Sequence, residues 1–499
     1  METKSLYNII CDAFEGGILP RDFSLPPVSD AKIPFADGAS DGIGIYHMGA
    51  PEITDEIREV IKSAVIAASD EDFKCAEELF KALSEKISAI RAIDELQSFI
   101  IENRDSLNAK NLYNCAVHLM TKSADRECVK FGMSMLELFN IEGNEKLMKA
   151  VELIGQSDEF TIFAVFIMSR WKNANESIFA LAQRVHGWGR IHAVERLEPK
   201  TDEIRRWLLH EGVNNDVVPA YSALSCWEKS GAAELLHNPD LSDEDFTGIA
   251  NLIDALLDEG PCAGISEVEN NAEVLAEFLK IAQNRTLSID DYVIIQNIRI
   301  KFEDENPEVV TKCSEILNTE NCRTCVRNAE KSGSVISLAK ELGIDFKYEV
   351  MRQLETDFGK NFYLCGELMD DEHRAKTIEI FCKNLPLGEL KTTPANSFPV
   401  GEKFQIHNRL DFIVQELKSY LLEGVDLVET ALQCAPAGTR NCALRVLQSW
   451  VNISKTPLET LLPEIYRLIQ KLVNIEPNNT ARERMEKLLN GEIGENSNE

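Results

Sequence analysis

The sequence predicts an all-α protein, an α-solenoid of helical hairpins behind a short looped N-terminal cap. Three observations predict it. From Pro51 onward apolar residues recur at i, i+3, i+4 and i+7, the spacing of one helix face. Nearly every break between these stretches carries Gly, Pro, Asn or Asp, which favour turns and helix ends. No strands alternate with the helical stretches, so no crossover-connected parallel sheet is indicated. At 499 residues the chain can hold two to four domains or one long repeat array.

Residues 1–50 form the cap. Pro20, Pro26, Pro27 and Pro34 sit among Gly16, Gly17, Gly38, Gly42, Gly44 and Gly49. Proline fixes φ and removes a backbone donor, whereas glycine permits φ > 0. The pattern reads as loop, with short strands expected at Lys32–Phe35 and Ile43–Met48. Residues 51–390 form the helical-repeat array. "PEITDEIREVIKSAVIAA" places Ile53, Ile57, Val60, Ile61 and Val65 on one stripe, with acids in the first turn, where the helix dipole favours them. "EDFKCAEELFKALSEKISAI" repeats the pattern with Phe73, Leu79, Phe80, Leu83 and Ile87. Further stretches follow near 91–103, 108–121, 125–141, 144–155, 159–169, 174–185, 188–198, 202–211, 216–230, 243–258, 270–284, 289–301, 307–317 and 322–341. An extended linker, 391–407, precedes C-terminal repeats over 408–490, near 408–422, 425–434, 438–451, 458–474 and 479–490. The tail 491–499 reads as frayed.

The clearest repeat is "HGWGRIHAVERLEPKTDEIRRWLLHEG". Gly189–Leu197 forms its first helix and Pro199 stops it. Thr201 is the expected N-cap of the second, with Asp202 and Glu203 in the first turn. Ile204, Trp207 and Leu208 form a buried stripe, and Gly212 is expected in the glycine position just past the helix. The next helix begins near Asp216. A repeat of about thirty residues lies in the range of HEAT-like hairpins.

Composition bounds the partners. Hydrophobic residues make up 44 % of the chain, ordinary globular usage that argues against wholesale disorder. The formal charge is −31, with 83 acidic against 52 basic residues. Polyanions are held by Lys and Arg on phosphates, so no nucleic-acid partner is expected. The longest strongly apolar run, Phe160 to Met168, is too short to span a bilayer. The start, METKSLYNII, lacks the basic and apolar regions of a signal peptide. Thirteen cysteines without regular spacing fit reduced thiols and a cytoplasmic location.

Motifs for cofactor chemistry are sparse. "GIGIYH" is the nearest approach to a dinucleotide fingerprint, but His47 replaces the third glycine and no strand–helix crossover follows. Cys322–Cys325 is a lone C-x-x-C. Its nearest zinc companions, Cys313, Cys365, His373 and Cys382, lack regular spacing, and no metal site is expected. Glu234–His237 is a single Glu-x-x-His pair, with Asp370–His373 a degenerate relative; a di-iron bundle needs two. Cys365 in "FYLCGEL" lacks the glycine-bracketed loop of a haem thiolate. No G-x-S-x-G elbow occurs.

On a helical wheel, Ile191, Ala193, Val194 and Leu197 share one face of the first repeat helix. Trp188, His192, Glu195 and Arg196 share the other, a stripe that either packs on a neighbouring repeat or binds a ligand, with His192 able to titrate near neutrality. Arg190 falls among the apolar residues and needs a partner, with Asp202 and Glu203 the candidates. In the cap, Asp37, Asp41, Tyr46 and His47 lie in a glycine-rich loop that either seals the first hairpin or carries function. The candidate binding surface is therefore Trp188, His192, Glu195, Arg196, Asp37, Asp41 and His47. No residue is assigned a catalytic role.

"CDAFEGGILPRDFSLP" with "FADGASDGIGIYHMG", and "HGWGRIHAVERLEPKTDEIRRWLLHEG", resemble a family of bacterial helical-repeat proteins whose members carry the name limonene hydroxylase. The resemblance covers most of the length. It implies oxygen insertion at an allylic carbon of a monoterpene, and oxidation of the resulting carveol- or perillyl-type alcohol. Such chemistry implies O2, NAD(P)H and a flavin, haem or iron centre, with a small apolar substrate bound between helices. The resemblance carries no motif that places catalytic residues. Composition and spacing alone favour the alternative, a non-catalytic α-solenoid that binds a protein or peptide.

Overall fold

The computed structural model describes residues 4–27, 35–260, 262–397, 401 and 404–491. Among them are 30 α-helices, short 3-10 segments and no strand. The chain divides into two units, Met1–Leu317 and Asn318–Glu499.

In the first unit, cap helices α1 (Leu6–Ala13) and α2 (Ala39–Tyr46) precede α3 (Asp55–Ser69), α4 (Phe73–Ser84), α5 (Ala89–Glu102), α6 (Ala109–Lys122) and α7 (Arg126–Leu136). Then come α8 (Glu145–Ile154), α9 (Thr161–Met168), α10 (Ala174–Ala182), α11 (Trp188–Arg196), α12 (Asp202–His210) and α13 (Ala220–Ser230). Short α14 (Ala232–Leu235) leads to α15 (Asp243–Leu257), α16 (Asn271–Ala282), α17 (Ile289–Lys301) and α18 (Pro307–Leu317). The packing order identifies the architecture. From α3 to α15, each odd-numbered helix touches the next, up to α17, forming one continuous layer. Hairpin partners α4, α6, α10, α12 and α18 pack against that layer. An array in which each unit touches its sequence neighbours is an α-solenoid.

Local chemistry sets the boundaries. Thr54, Asp72, Asn108, Asp125, Asn144, Thr201 and Ser242 each accept a first-turn backbone N–H at a helix start, satisfying donors that the helix leaves open. Ser288 and Asp291 form a reciprocal capping box on α17. Helix α12 starts at the expected Thr201 cap. Gly212, however, does not adopt the left-handed conformation; it is small because Cys226 Sγ would lie 2.4 Å from its Cβ. Helix α13 begins at Ala220 rather than near Asp216.

Two further readings change. Ile43–Met48 is not a strand: residues 39–46 are helical, and the Gly42 and His47 N–H groups donate four residues back to Gly38 and Ile43. Of the strand expected at Lys32–Phe35, residues 32–34 lie outside the described residues. In the second unit, the stretch 322–341 is two helices, Glu320–Asn328 and Gly333–Glu341. Between them the buried Lys331 ammonium donates to the Val326, Arg327 and Ala329 carbonyls at 2.7, 3.2 and 2.6 Å. A cation on those end carbonyls stabilises the helix terminus, and Ser332 then caps the next helix. Helices also occupy Lys347–Thr356 and Arg374–Asn384, where the sequence shows no clear apolar period. Residues 391–397 run extended beside the start of the long helix Ala437–Ser454, through Thr392 N–H to Gln433 O at 2.8 Å and Ala395 N–H to Ala435 O at 3.0 Å.

Candidate functional site

The two segments that carry the family resemblance meet in space. Cap helix α2 lies on the start of α11, and Gly42 makes the approach possible. A Cβ at Gly42 would sit 2.1 Å from the Trp188 ring, so any side chain there would lift α2 off the indole. Tyr46, one turn further along, stacks on His192 with ring centroids 6.4 Å apart and planes 16° apart, and its hydroxyl donates to Glu195. Tyr221 of α13 closes the cluster, 4.9 Å from Trp188 and 5.0 Å from Tyr46 between centroids. Its hydroxyl hydrogen-bonds His47 Nε2 at 2.5 Å.

The Trp188–His192 half of the α11 stripe is thus covered by the protein's own cap, while Glu195 and Arg196 remain exposed. Trp188 and His192 are only 5 % and 3 % exposed. Burial, reinforced by Arg196, pushes the His192 imidazole down to about 4, so it is neutral at pH 7 rather than poised to titrate there. Arg196 leaves the cluster and lies 5.1 Å from the Phe166 ring centroid. Arg190 is paired with neither Asp202 nor Glu203. Its guanidinium donates to the Val185 and Asn214 carbonyls at 2.9 and 2.8 Å and lies 5.5 Å from the Trp207 ring centroid. Backbone carbonyls from the two flanking loops satisfy it without a carboxylate.

Asp37 and Asp41 belong to a buried charge network that the sequence did not reveal. Lys130 of α7 is 1 % exposed, and its ammonium lies 2.8 Å from Asp41, 2.8 Å from Glu127 and 2.7 Å from Glu159. The Asp41 contact is an ion pair outside hydrogen-bond geometry, so neither Asp41 oxygen has a hydrogen-bond donor. Arg126 adds a second cation, 2.8 Å from Asp37 and 3.0 Å from Glu159. Glu159 also accepts the Gly38 N–H, and Asp37 the Leu25 N–H. Burial opposes the charges of Asp37, Asp41, Lys130 and Glu159. It raises Asp41 to about 6. For Lys130 burial pulls downward, but the three carboxylates outweigh it and hold the ammonium charged. For Glu159 burial is likewise overridden, by Lys130 and Arg126.

Asp158 anchors α11 from the neighbouring repeat. Its Oδ1 accepts the Gly189 N–H at 2.9 Å and its Oδ2 the Gly187 N–H at 3.1 Å, so it caps a helix whose own N-cap residue has no side chain. A Cβ at Gly189 would lie 2.4 Å from both Asp158 Oδ1 and Thr161 Oγ1, which explains the glycine. Burial pushes the Asp158 carboxyl up to about 6 despite the two N–H donors, and Asp37 and Asp216 add to the rise. An unfolded aspartate titrates near 3.9, so the native state holds this proton to higher pH. The stability it contributes is full at low pH and is lost as pH rises through about 6. Between pH 5.5 and 7.5 the wild-type chain is expected to lose about 1 kcal/mol more stability than Asp158→Asn, which removes the titration. Thermal melts across that range check it, and parallel profiles for the two proteins would contradict it.

The nearest cofactor motifs of the sequence do not form the sites they would need. The "GIGIYH" glycines lie in helix α2 with Gly42 against Trp188, so they form no pyrophosphate turn. Cys365 lies in the buried 3-10 segment Phe362–Leu368, 1 % exposed, and burial pushes its thiol up to about 12. A protonated, covered thiol is a poor axial ligand. Among the described residues no three His, Cys, Asp or Glu side chains are grouped to hold a metal ion. No helix among them is long and apolar enough to cross a membrane.

The fold defines the class, an all-α helical-repeat protein. No family model and no curated protein matches the chain. Two solved structures are similar to it. One, described as an engineered protein, is 12 % identical with a TM-score of 0.24, covering 88 % of this chain and 99 % of its own. The other, described as a circular tandem repeat protein with novel repeat topology and enhanced subunit contact surfaces, is 14 % identical with a TM-score of 0.14, covering 87 % and 94 %.

Proposed function

We propose that the chain is a non-catalytic helical-repeat scaffold that binds a Lys/Arg-rich protein segment. One observation carries this reading. A groove of about 700 Å³ opens between α13, α14, the turn Glu267–Asn270 and α16. Its floor is apolar, with Leu224, Trp227, Leu236, Val268 and Val274, and its lining holds six glutamates with no lysine or arginine. Glu277 pairs with Lys280 at 2.9 Å. Glu228, Glu234, Glu267, Glu269 and Glu273 have no cationic partner among the described residues. An apolar floor inside an uncompensated acidic rim complements an amphipathic basic helix. The hydroxylase reading needs a pocket for a hydrocarbon, and charged groups line this groove.

Fluorescence anisotropy of a labelled amphipathic Lys-rich peptide, with a scrambled peptide of equal charge as control, tests the reading. Saturable binding that weakens with salt, prefers the amphipathic order and drops at least tenfold in Glu267→Lys/Glu273→Lys is expected. Equal binding of both peptides, or an unaffected variant, would refute it. Limonene-dependent NAD(P)H consumption by the purified chain would favour the enzyme instead.

A further inference from the structure

A second cavity, of about 480 Å³, lies under the cap, between residues 19–24 and 36–37 on one side and the loops before α9 and α11 on the other. That volume is in the range of small-molecule sites. Leu19, Phe23, Val185 and Val217 give it an apolar wall. Asp158 lines it, and no ammonium or guanidinium among the described residues pairs with this carboxylate. Arg190 is within electrostatic range but is committed to backbone carbonyls. A carboxylate accepts about four hydrogen bonds; Asp158 accepts two, both from glycine N–H groups. Beside it Ser157, 2 % exposed, also lines the cavity, and its Oγ has no hydrogen-bond partner. Buried hydroxyls are almost always bonded. The two other acids of the lining are already matched, Asp37 by Arg126 at 2.8 Å and Asp216 by Arg21 at 2.7 Å. His186 is pushed below its ordinary value, first by burial and then by Arg190 and Arg21, so it brings no competing charge at pH 7. Arg184 stands exposed at the rim, where water screens it.

We infer that this cavity is a binding site for a small organic ammonium ion, with the charged nitrogen on Asp158 and Ser157 Oγ and an apolar body against Leu19, Phe23 and Val185. The ligand supplies the cation that Asp158 lacks, the donor that Ser157 Oγ can accept, and apolar surface for the wall. The site is independent of the acidic groove.

Calorimetric titration of the full chain with phenethylammonium tests it, beside 2-phenylethanol, which lacks the charge, and 3-phenylpropionate, which reverses it. Saturable binding of the amine alone is expected. Asp158→Asn should weaken it at least tenfold. Because Asp158 also holds the α11 glycines, Ala36→Phe provides a second variant: Ala36 is an exposed lining residue, so a ring there blocks the cavity without disturbing the core, and binding should vanish at an unchanged melting temperature. Equal binding of the alcohol, preference for the carboxylate, or amine binding that survives Ala36→Phe would each overturn the assignment.

Discussion

Lys130→Met is expected to destabilise the first unit by about 3–5 kcal/mol and to release the cap, because it leaves buried carboxylates without their cation. Methionine matches the lysine stem in length and packs on the same neighbours, so the loss reports the charge rather than a void. Asp41 and Glu159, 1 % and 7 % exposed at the side chain, would have to take up protons or pull away from each other. Glu159 retains Arg126, whereas Asp41 has no second cation, so the break should propagate through α2. Helix α2 is held from two sides: Asp41 on Lys130 and Gly42 on Trp188. Hydrogen exchange should show the amides of Ala39–Tyr46 losing protection before those of α7 do. Asp41→Asn/Lys130→Met should recover part of the loss, since it removes the stranded charge together with its partner. If the single variant keeps full cap protection, the network does not hold the cap.

The hairpins were legible in the sequence because amphipathic helices bury one stripe each, and that stripe repeats every 3.6 residues. The start of α12 at Thr201 and the end of α11 before Pro199 follow from local chemistry, whereas the start of α11 is capped from Asp158 in the neighbouring repeat. Helix α2 was not legible. In "ASDGIGIY" the residues Ile43 and Ile45 alternate like a strand, and helical glycines are unfavourable without a packing reason. That reason is Trp188, almost 150 residues away in the chain. The region from Lys347 to Asn384 was not legible because its helices are joined by the 3-10 segment Phe362–Leu368, which has no 3.6-residue period. For the candidate site, the wheel groups Trp188, His192, Glu195 and Arg196 on one face; Tyr46 of the cap meets the first three, Arg196 lies over Phe166 instead, and no wheel shows either contact. Lys130 gave one signal, a lone cation inside the otherwise apolar run of α7, whose residues 128–136 are all buried. Its partners come from α2, α7 and the loop before α9, so no spacing rule could have assembled them. Asp158 gave none, since a loop aspartate ordinarily reads as a turn residue.

Arg440→Met is expected to cost the second unit a similar 3–5 kcal/mol, for a related reason with a different structural reach. Arg440 and Glu476 are both fully buried, 0 % exposed at the side chain, and the guanidinium meets both carboxylate oxygens. The same guanidinium donates to the Cys434, Ala435 and Ala395 carbonyls. One side chain therefore fastens the extended segment 391–397 and the turn before Ala437–Ser454 to the loop that precedes the last helix, Asn479–Leu489. Backbone carbonyls in an extended segment lack helical donors, so burying them requires such a partner. Lysine at this position would keep the charge but lose the planar fork that serves a carboxylate and three carbonyls together. Arg440→Lys should recover less than half of the loss. The expected signature is a drop in melting temperature with selective proteolysis near 391–397, while the amides of the first unit keep their protection. Cleavage at that segment no faster than in the wild type would show that its order depends on other contacts.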